Sequence, residues 1–437
     1  MGIWSQARTI AAQTPADRNR YVDFLRAASI LVVITGHWLI AALYYRDGTL
    51  VPGAILELQP WTQWLTWLFQ VMPIFFFVGG YANAVSLESA GRRNRGYAGW
   101  LVTRLNRLVT PLIALLAGWA LLAAILHFCG VGGGVIRLAS RAALIPIWFL
   151  AIYIMIVVLA PACYFAWRRW GFASLWALVA AAALVDAAFF LANLQWLGWS
   201  NYFWVWLAVH QLGFVWRDGR TGGPGRLLAC AAVGLGALML LVFEGPYPLA
   251  MVGSPDENLS NTLPPKVTLL ALAAVQFGLL LSLESPIRRF LSGPRVWAAT
   301  VLVNGMIMTV YLWHLTVLAI MVALAFAVGG FGLRIEPGSS EWWLTRPLWI
   351  GVLYVVLLPV AVSLAGLERR ARPADAPVPS AARQVGGAVL LCLGLALLAR
   401  FGFGNAPLPG LDLAAFAMAV AGAGISGVLT RPKKSKR

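Results

Sequence analysis

Apolar runs of about twenty residues, parted by short basic clusters, recur along the whole chain, the length at which an α-helix crosses a ~30 Å hydrocarbon core. They lie near 27–45, 61–84, 108–127, 147–167, 172–193, 202–216, 227–243, 266–283, 298–328, 347–366, 385–401 and 412–429. The period-two alternation that marks a membrane barrel is absent, whereas closed helices satisfy their own backbone groups in lipid. The pattern predicts an all-α fold, a polytopic transmembrane helical bundle of about 10 core spans followed by about 2 C-terminal spans. The sixth run is short. The stretch from Trp297 to Phe331 is too long for one upright span, which predicts a short interfacial helix before the true crossing.

Composition agrees with the pattern. The 437 residues are 60% hydrophobic and 11% charged with a mean hydropathy of +0.78, values that exclude an ordinary soluble domain. The net charge of +17 is scattered between apolar runs rather than gathered in an arm or domain, so it reads as membrane topology and not as nucleic-acid binding. With twelve spans, about 26 of the 33 Lys and Arg residues fall on one side, which the positive-inside rule makes cytoplasmic together with both termini. The division expected is a cytoplasmic segment 1–26, a membrane core 27–367, a Pro- and Ala-rich cytoplasmic linker 368–384, and two further spans with a basic tail in 385–437. No cleavage site follows the first apolar run, which reads as an anchor. Cys129, Cys163, Cys230 and Cys392 are far apart with no CxxC, and neither a disulfide framework nor a metal site is expected.

The segment RYVDFLRAASILVVITGHW, beginning at Arg20, holds the most informative pair. Arg26 and His37 are eleven residues apart, and at 100° per residue both project from one helix face, roughly 16 Å apart along the axis. That places the guanidinium at the membrane edge and the imidazole near mid-depth, where an ionisable group is expensive and usually functional. His37 has two readings, a helix-packing hydrogen bond and a general base with a pKa near working pH. Arg26 on the same line favours the second, since it can hold an anionic group or tune the imidazole. Asp23, three residues before Arg26, is close enough to pair with it.

Arg104 and Arg107, in LVTRLNRLVTP, share a helix face at i and i+3. Two guanidinium forks side by side suit phosphate, although positive-inside anchoring alone also puts arginines there. In MPIFFFVGGYAN, Pro73 permits a kink and Gly79 with Gly80 permits close approach of a helix or ligand. Trp148 in PIWFLAIY, and Tyr311 and His314 in VYLWHL, put polar-tipped aromatics and a histidine within apolar sequence. Asp186, among alanines, is expected to face a polar cavity or pair with an inward Arg, and His210, Gln276 and Asn304 receive no step. Walker, HExxH and GxSxG patterns are absent, which argues against ATP-driven transport, zinc proteolysis and serine-nucleophile hydrolysis.

Together, RYVDFLRAASILVVITGHW, MPIFFFVGGYAN, RLNRL, IWFLAIY and YLWH resemble the motif series of membrane acyltransferase family 3, from about Arg20 to the tenth span. Gly79 and Gly80 stand where many members carry Ser-Gly. The resemblance implies an O-acyltransferase moving an acyl group, acetyl foremost, from cytoplasmic acyl-CoA to a hydroxyl of an extracytoplasmic glycan or glycolipid. It implies His37 as general base assisted by Arg26, Arg104 and Arg107 on the coenzyme A phosphates, and Trp148, Tyr311 and His314 in the substrate pocket. The expected partners are acyl-CoA, the glycan or glycolipid acceptor and membrane lipids, with no metal and no nucleic acid, and the expected site is the bacterial inner (plasma) membrane. The rival readings are a secondary transporter or flippase for a glycolipid or anionic substrate, in which buried His and Asp relay protons, and a non-catalytic scaffold.

Overall fold

Each of the apolar runs folds as helix. In the computed structural model, which describes residues 2–15, 18–253, 259–368, 376–404 and 413–429, α1 (Ile3–Ala12) and α2 (Arg20–Ile40) lead into a hairpin of β1 (Tyr44–Arg46) and β2 (Thr49–Val51). Two short helices, α3 (Ile55–Leu58) and α4 (Leu65–Phe69), precede α5 (Met72–Arg92), α6 (Tyr97–Phe128), α7 (Gly133–Ala143) and α8 (Ile145–Trp170). Then come α9 (Phe172–Leu191), α10 (Asn201–Arg217), α11 (Pro224–Phe243), α12 (Thr268–Ser282), α13 (Glu284–Phe290) and α14 (Pro294–Asn304). The chain continues through α15 (Ile307–Ala327), α16 (Ser340–Glu368), α17 (Ala381–Phe401) and α18 (Leu413–Ile425).

Among the described residues nine helical stretches are long and apolar enough to cross a membrane, or ten if α12 and α13, bent by 53°, form one span. Twelve were expected, and the differences have physical causes. The sixth run, now α10, is 17 residues long and buried on nearly every side from Asn201 to Trp216, so its apolar residues face protein rather than lipid. α18 has 13 residues, fewer than a hydrocarbon core requires. The run from Trp297 divides, as expected, into α14 and the longer α15. Pro73 is the second residue of α5 and starts that helix instead of kinking it, since a first-turn proline lacks only an N–H that has no helical partner. Asp256, Glu257, Arg369, Arg370, Arg372 and the tail Arg431 to Arg437 lie outside the described residues.

The chain forms two compact units, one of Met1–Ser86, Ala162–Gly305 and Ile335–Leu344, the other of Leu87–Pro161, Met306–Arg334 and Thr345–Arg437. In the first, α5 and α10 touch backbone to backbone. A side chain at Gly80 would collide with the His210 carbonyl, and one at Gly213 with the carbonyl of Phe77 and the amide of Tyr81. Around this crossing Asn83 Nδ2 donates to His210 Nε2 at 3.0 Å and Phe76 stacks on Trp206 at 4.4 Å. α11 and α12 meet in the same small-residue manner at Gly234 and Gly278, the packing that apolar surroundings favour because lipid supplies no drive to bury large side chains.

In the second unit, Trp313 fills the space over Gly118 of α6 and Trp119 Nε1 donates to Thr316 at 2.9 Å, joining α6 to α15. α17 and α18 pack through Gly387, Gly394 and Gly422. They are built into this unit, since Gln384 Nε2 reaches the Ala98 carbonyl at 2.9 Å and Cys392 the Ala151 carbonyl at 3.3 Å.

Gly213→Leu is expected to cost about 3 kcal/mol or more, because overpacking here moves backbone rather than a flexible side chain. Gly236→Ala, where nothing lies within 4 Å, serves as the neutral control. Thermal unfolding of the detergent-purified variants reads both, and equal midpoints would remove the crossing as the determinant of this unit.

Candidate functional site

The first polar line lies on α2. Asn19 caps the helix, its side chain accepting from the backbone of Tyr21 and Val22, which satisfies donors that the first turn leaves open. Arg26 and His37 project from one stripe with Val22 and Ile30, both buried, and are themselves half-buried. His37 lies in the last turn, with the Ala41 amide donating to its carbonyl at 3.1 Å. Beyond it the chain is fixed by a cluster of Ala42, Ile55 and Trp342. The helix therefore ends one turn past the imidazole.

Asp23 does not serve Arg26. Its carboxylate takes two bonds from Arg18, Nε at 2.6 Å and a terminal nitrogen at 3.1 Å, because Arg18 folds back over the first turn while Asp23 projects about 60° from Arg26 around the helix. This bond holds Arg18 further inside its charged range. Asn304 closes the other side, donating to the Asp23 carbonyl at 2.8 Å. Among the described residues Arg26 makes no hydrogen bond or ion pair.

Arg104 and Arg107 belong to the second unit. They occur in the second and third turns of α6, roughly 10 and 15 Å from its first residue. Arg104 is half-buried with its guanidinium carbon 5.9 Å from the Trp100 ring, and Arg107 is exposed. In the same unit Tyr311 OH donates to the Pro146 carbonyl at 2.9 Å and its ring meets Phe149 at 5.8 Å, so Tyr311 comes against the start of α8 that carries Trp148. His314 is fully buried, with Nδ1 2.6 Å from the Tyr311 carbonyl. A carbonyl only accepts, so Nδ1 carries a proton.

Two polar groups gain partners that the sequence reading did not assign. One is the Asn83–His210 pair in the α5–α10 crossing. The other surrounds Asp186, which pairs with no arginine: Asn201 donates to one oxygen at 2.9 Å, and Tyr247 OH at 3.1 Å with the Val267 amide at 2.8 Å bind the other. Lys266 is beside them, fully buried, with Nζ 3.4 Å from the centre of the Phe189 ring. A signal was present in the sequence, since Lys266 is the only lysine before position 433 in a chain whose other cations up to there are all arginine.

The arrangement holds the elements of acid–base and anion chemistry: an imidazole at a helix end, unpaired and paired guanidiniums, and polar-tipped aromatics. Among the described residues no group of three or more His, Cys, Asp or Glu is placed to hold a metal ion. The chain matches no curated protein and no solved structure. Residues 19–366 match the family described as an acyltransferase domain, which takes in α2 with Arg26 and His37, the Arg104–Arg107 pair, and Trp148, Tyr311 and His314. The chain thus belongs to acyltransferase family 3 and is an acyltransferase built of membrane-spanning helices.

Proposed function

We propose that this acyltransferase moves an acetyl group from cytoplasmic acetyl-CoA to a hydroxyl of an extracytoplasmic glycan or glycolipid, with His37 as general base. The observation that carries the reading is the placement of His37 in the last turn of α2, half-buried and in line with an Arg26 that, among the described residues, no carboxylate occupies. Of the other three histidines, all inside helices, His210 and His314 are wholly enclosed, whereas a base must be reachable by the proton it takes; His127, half-buried in the last turn of α6, has Leu116 eleven residues before it, where His37 has Arg26. Both termini are cytoplasmic in this reading, in a bacterial inner membrane, on the strength of the arginine asymmetry.

The chemistry balances without a metal or redox partner. His37 takes the proton of the acceptor hydroxyl as its oxygen attacks the thioester carbonyl carbon. The carbon–sulfur bond then breaks, and the departing thiolate of coenzyme A recovers the proton from the imidazolium. The positive charge His37 gains in between stands beside the last-turn carbonyls of α2, the negative end of the helix dipole. Arg26, with no partner among the described residues, offers its guanidinium to the anionic donor or to the oxyanion of the attacked carbonyl. Arg104 and Arg107 engage the phosphates of coenzyme A as a pair of forks. Trp148, Tyr311 and His314 line a substrate pocket.

Purified protein supplied with acetyl-CoA and candidate envelope acceptors should release coenzyme A, and His37→Ala should lower that rate by about 10²–10⁴-fold, the usual worth of a general base. Acceptor-dependent release that survives the substitution removes His37 from the mechanism. Mass spectrometry of envelope glycans and lipids, with and without the protein, names the acceptor by one added acyl mass.

The paired substitution Arg104→Ala with Arg107→Ala should raise the donor KM by about tenfold or more while kcat changes little, as loss of uniform donor binding requires. An unchanged KM assigns both arginines to topology. Tyr311→Phe strands the buried Pro146 carbonyl and should destabilise the protein by about 1 kcal/mol, read as a lower unfolding midpoint.

A further inference from the structure

Lys266 has no exposed surface, and its ammonium has no hydrogen-bond partner. No carboxylate oxygen comes within ion-pair range of it among the described residues. Its attractive neighbours are the Phe189 ring at 3.4 Å and the Phe190 ring at 5.6 Å, which satisfy none of the three N–H groups in the way an oxygen does. Among the described residues Asp186 is the nearby counter-charge, and its two oxygens already accept from Asn201, Tyr247 and the Val267 amide. Asn201 also leaves its side-chain oxygen without a donor in the same cluster. A buried ammonium without acceptors is costly, and aromatic faces offset only part of the loss.

The position is tied to the α4 segment that neighbours α2. Asn261 accepts from the Lys266 amide at 3.0 Å and donates to the carbonyls of Pro248 and Ala250. The next residue, Met251, is bonded to Thr66 in the first turn of α4 and to Gln70 at its end. α4 in turn packs against α2, the helix that ends one turn past His37. Lys266 is thereby anchored to the part of the first unit where the chain leaves α2.

We propose that Lys266 is the receptor for an anionic oxygen group, carboxylate or phosphate, on a sugar ligand, with Phe189, Phe190 and Tyr247 as its aromatic surround. The ligand oxygens supply the acceptors that the ammonium lacks, and the rings offer flat apolar faces to the sugar. The inference builds on the acyl-transfer reading in one respect, by making the acceptor an acidic glycan or glycolipid. Binding itself requires no turnover.

The test is thermal unfolding of the detergent-purified full chain with glucuronate, glucose 1-phosphate, glucose or sodium chloride, at equal ionic strength. One of the two acidic sugars should raise the midpoint by about 3 °C at a hundredfold excess over its Kd, with glucose and chloride without effect. The sugar that acts identifies the anion as carboxylate or phosphate. Lys266→Met should abolish the shift while unfolding no earlier than wild type in buffer, since it removes an unsatisfied charge and keeps the volume. Lys266→Arg should retain a response. Where Lys266→Met does not purify, Lys266→Gln takes its place. If neither acid stabilises the wild type, or Lys266→Met responds equally, Lys266 is a structural amine and the proposal falls. Anion binding that persists in a protein releasing no coenzyme A from acetyl-CoA would instead overturn the acyl-transfer reading alone.

Discussion

The close crossing of α5 and α10 is the constraint from which the first unit is built. Gly80 and Gly213 let the two backbones touch, and no larger side chain fits at either position. The approach brings Tyr81 against Trp216 at 4.6 Å, and those two aromatics position α2. Tyr81 OH accepts from Asn19, the cap of α2, at 3.2 Å, and Trp216 meets Tyr21 edge-on at 6.0 Å. Tyr21 OH then reaches the Leu280 carbonyl at 2.6 Å. The rotation of α2, and with it the direction of the Arg26–His37 line, is thus set by two glycines 133 residues apart in sequence. Small residues act here because helices in lipid gain by contact, not by hiding from water.

The histidines show how one residue type is put to different uses by its surroundings. His210 is locked to Asn83 in the crossing, and His314 is held to the carbonyl one turn before it. Each is enclosed, and such bonds specify packing at modest energetic gain. His37 stands at a helix end and is half-buried. There the chain leaves helix, the hairpin begins, and the surrounding backbone is anchored by Ala42, Ile55 and Trp342. A rigid frame around a reachable imidazole is what proton transfer demands.

Much of this architecture was legible along the chain. Hydropathy located the helices, the eleven-residue spacing put Arg26 and His37 on one face, and the overlong run from Trp297 divided into a short helix and a longer one. What hydropathy does not carry is which apolar helix faces lipid. α10 has the composition of a span and the burial of a core helix, because the aromatic residues Tyr202, Trp206, Phe214 and Trp216 are packed against protein. Partner choice was equally hidden. Asp23 is nearer in sequence to Arg26 than to Arg18, yet helix geometry turns it toward the residue that precedes the cap. Asp186 draws its donors from Asn201, Tyr247 and Val267, three separate places in the chain. Lys266 was passed over as well, although it is the single lysine before position 433, because a count of cations by side does not ask which cation stands where.

The two C-terminal helices lie beyond the family match, which ends at residue 366, yet they brace the helix that carries Arg104 and Arg107. Gln384 is fully buried and bonds the Ala98 carbonyl, in the first turn of α6, two turns before Arg104. At the start of a helix that carbonyl already serves an amide one turn on, so the second bond uses its remaining lone pair and ties α17 to the backbone itself. Farther along, Ser140 accepts from the Phe403 amide at 2.8 Å, which fixes the far end of α17 to α7. A helix held at both ends transmits little motion of its own. The consequence is local: the guanidinium forks of Arg104 and Arg107 project from a start of α6 that is clamped rather than frayed, so their backbone positions are fixed relative to each other.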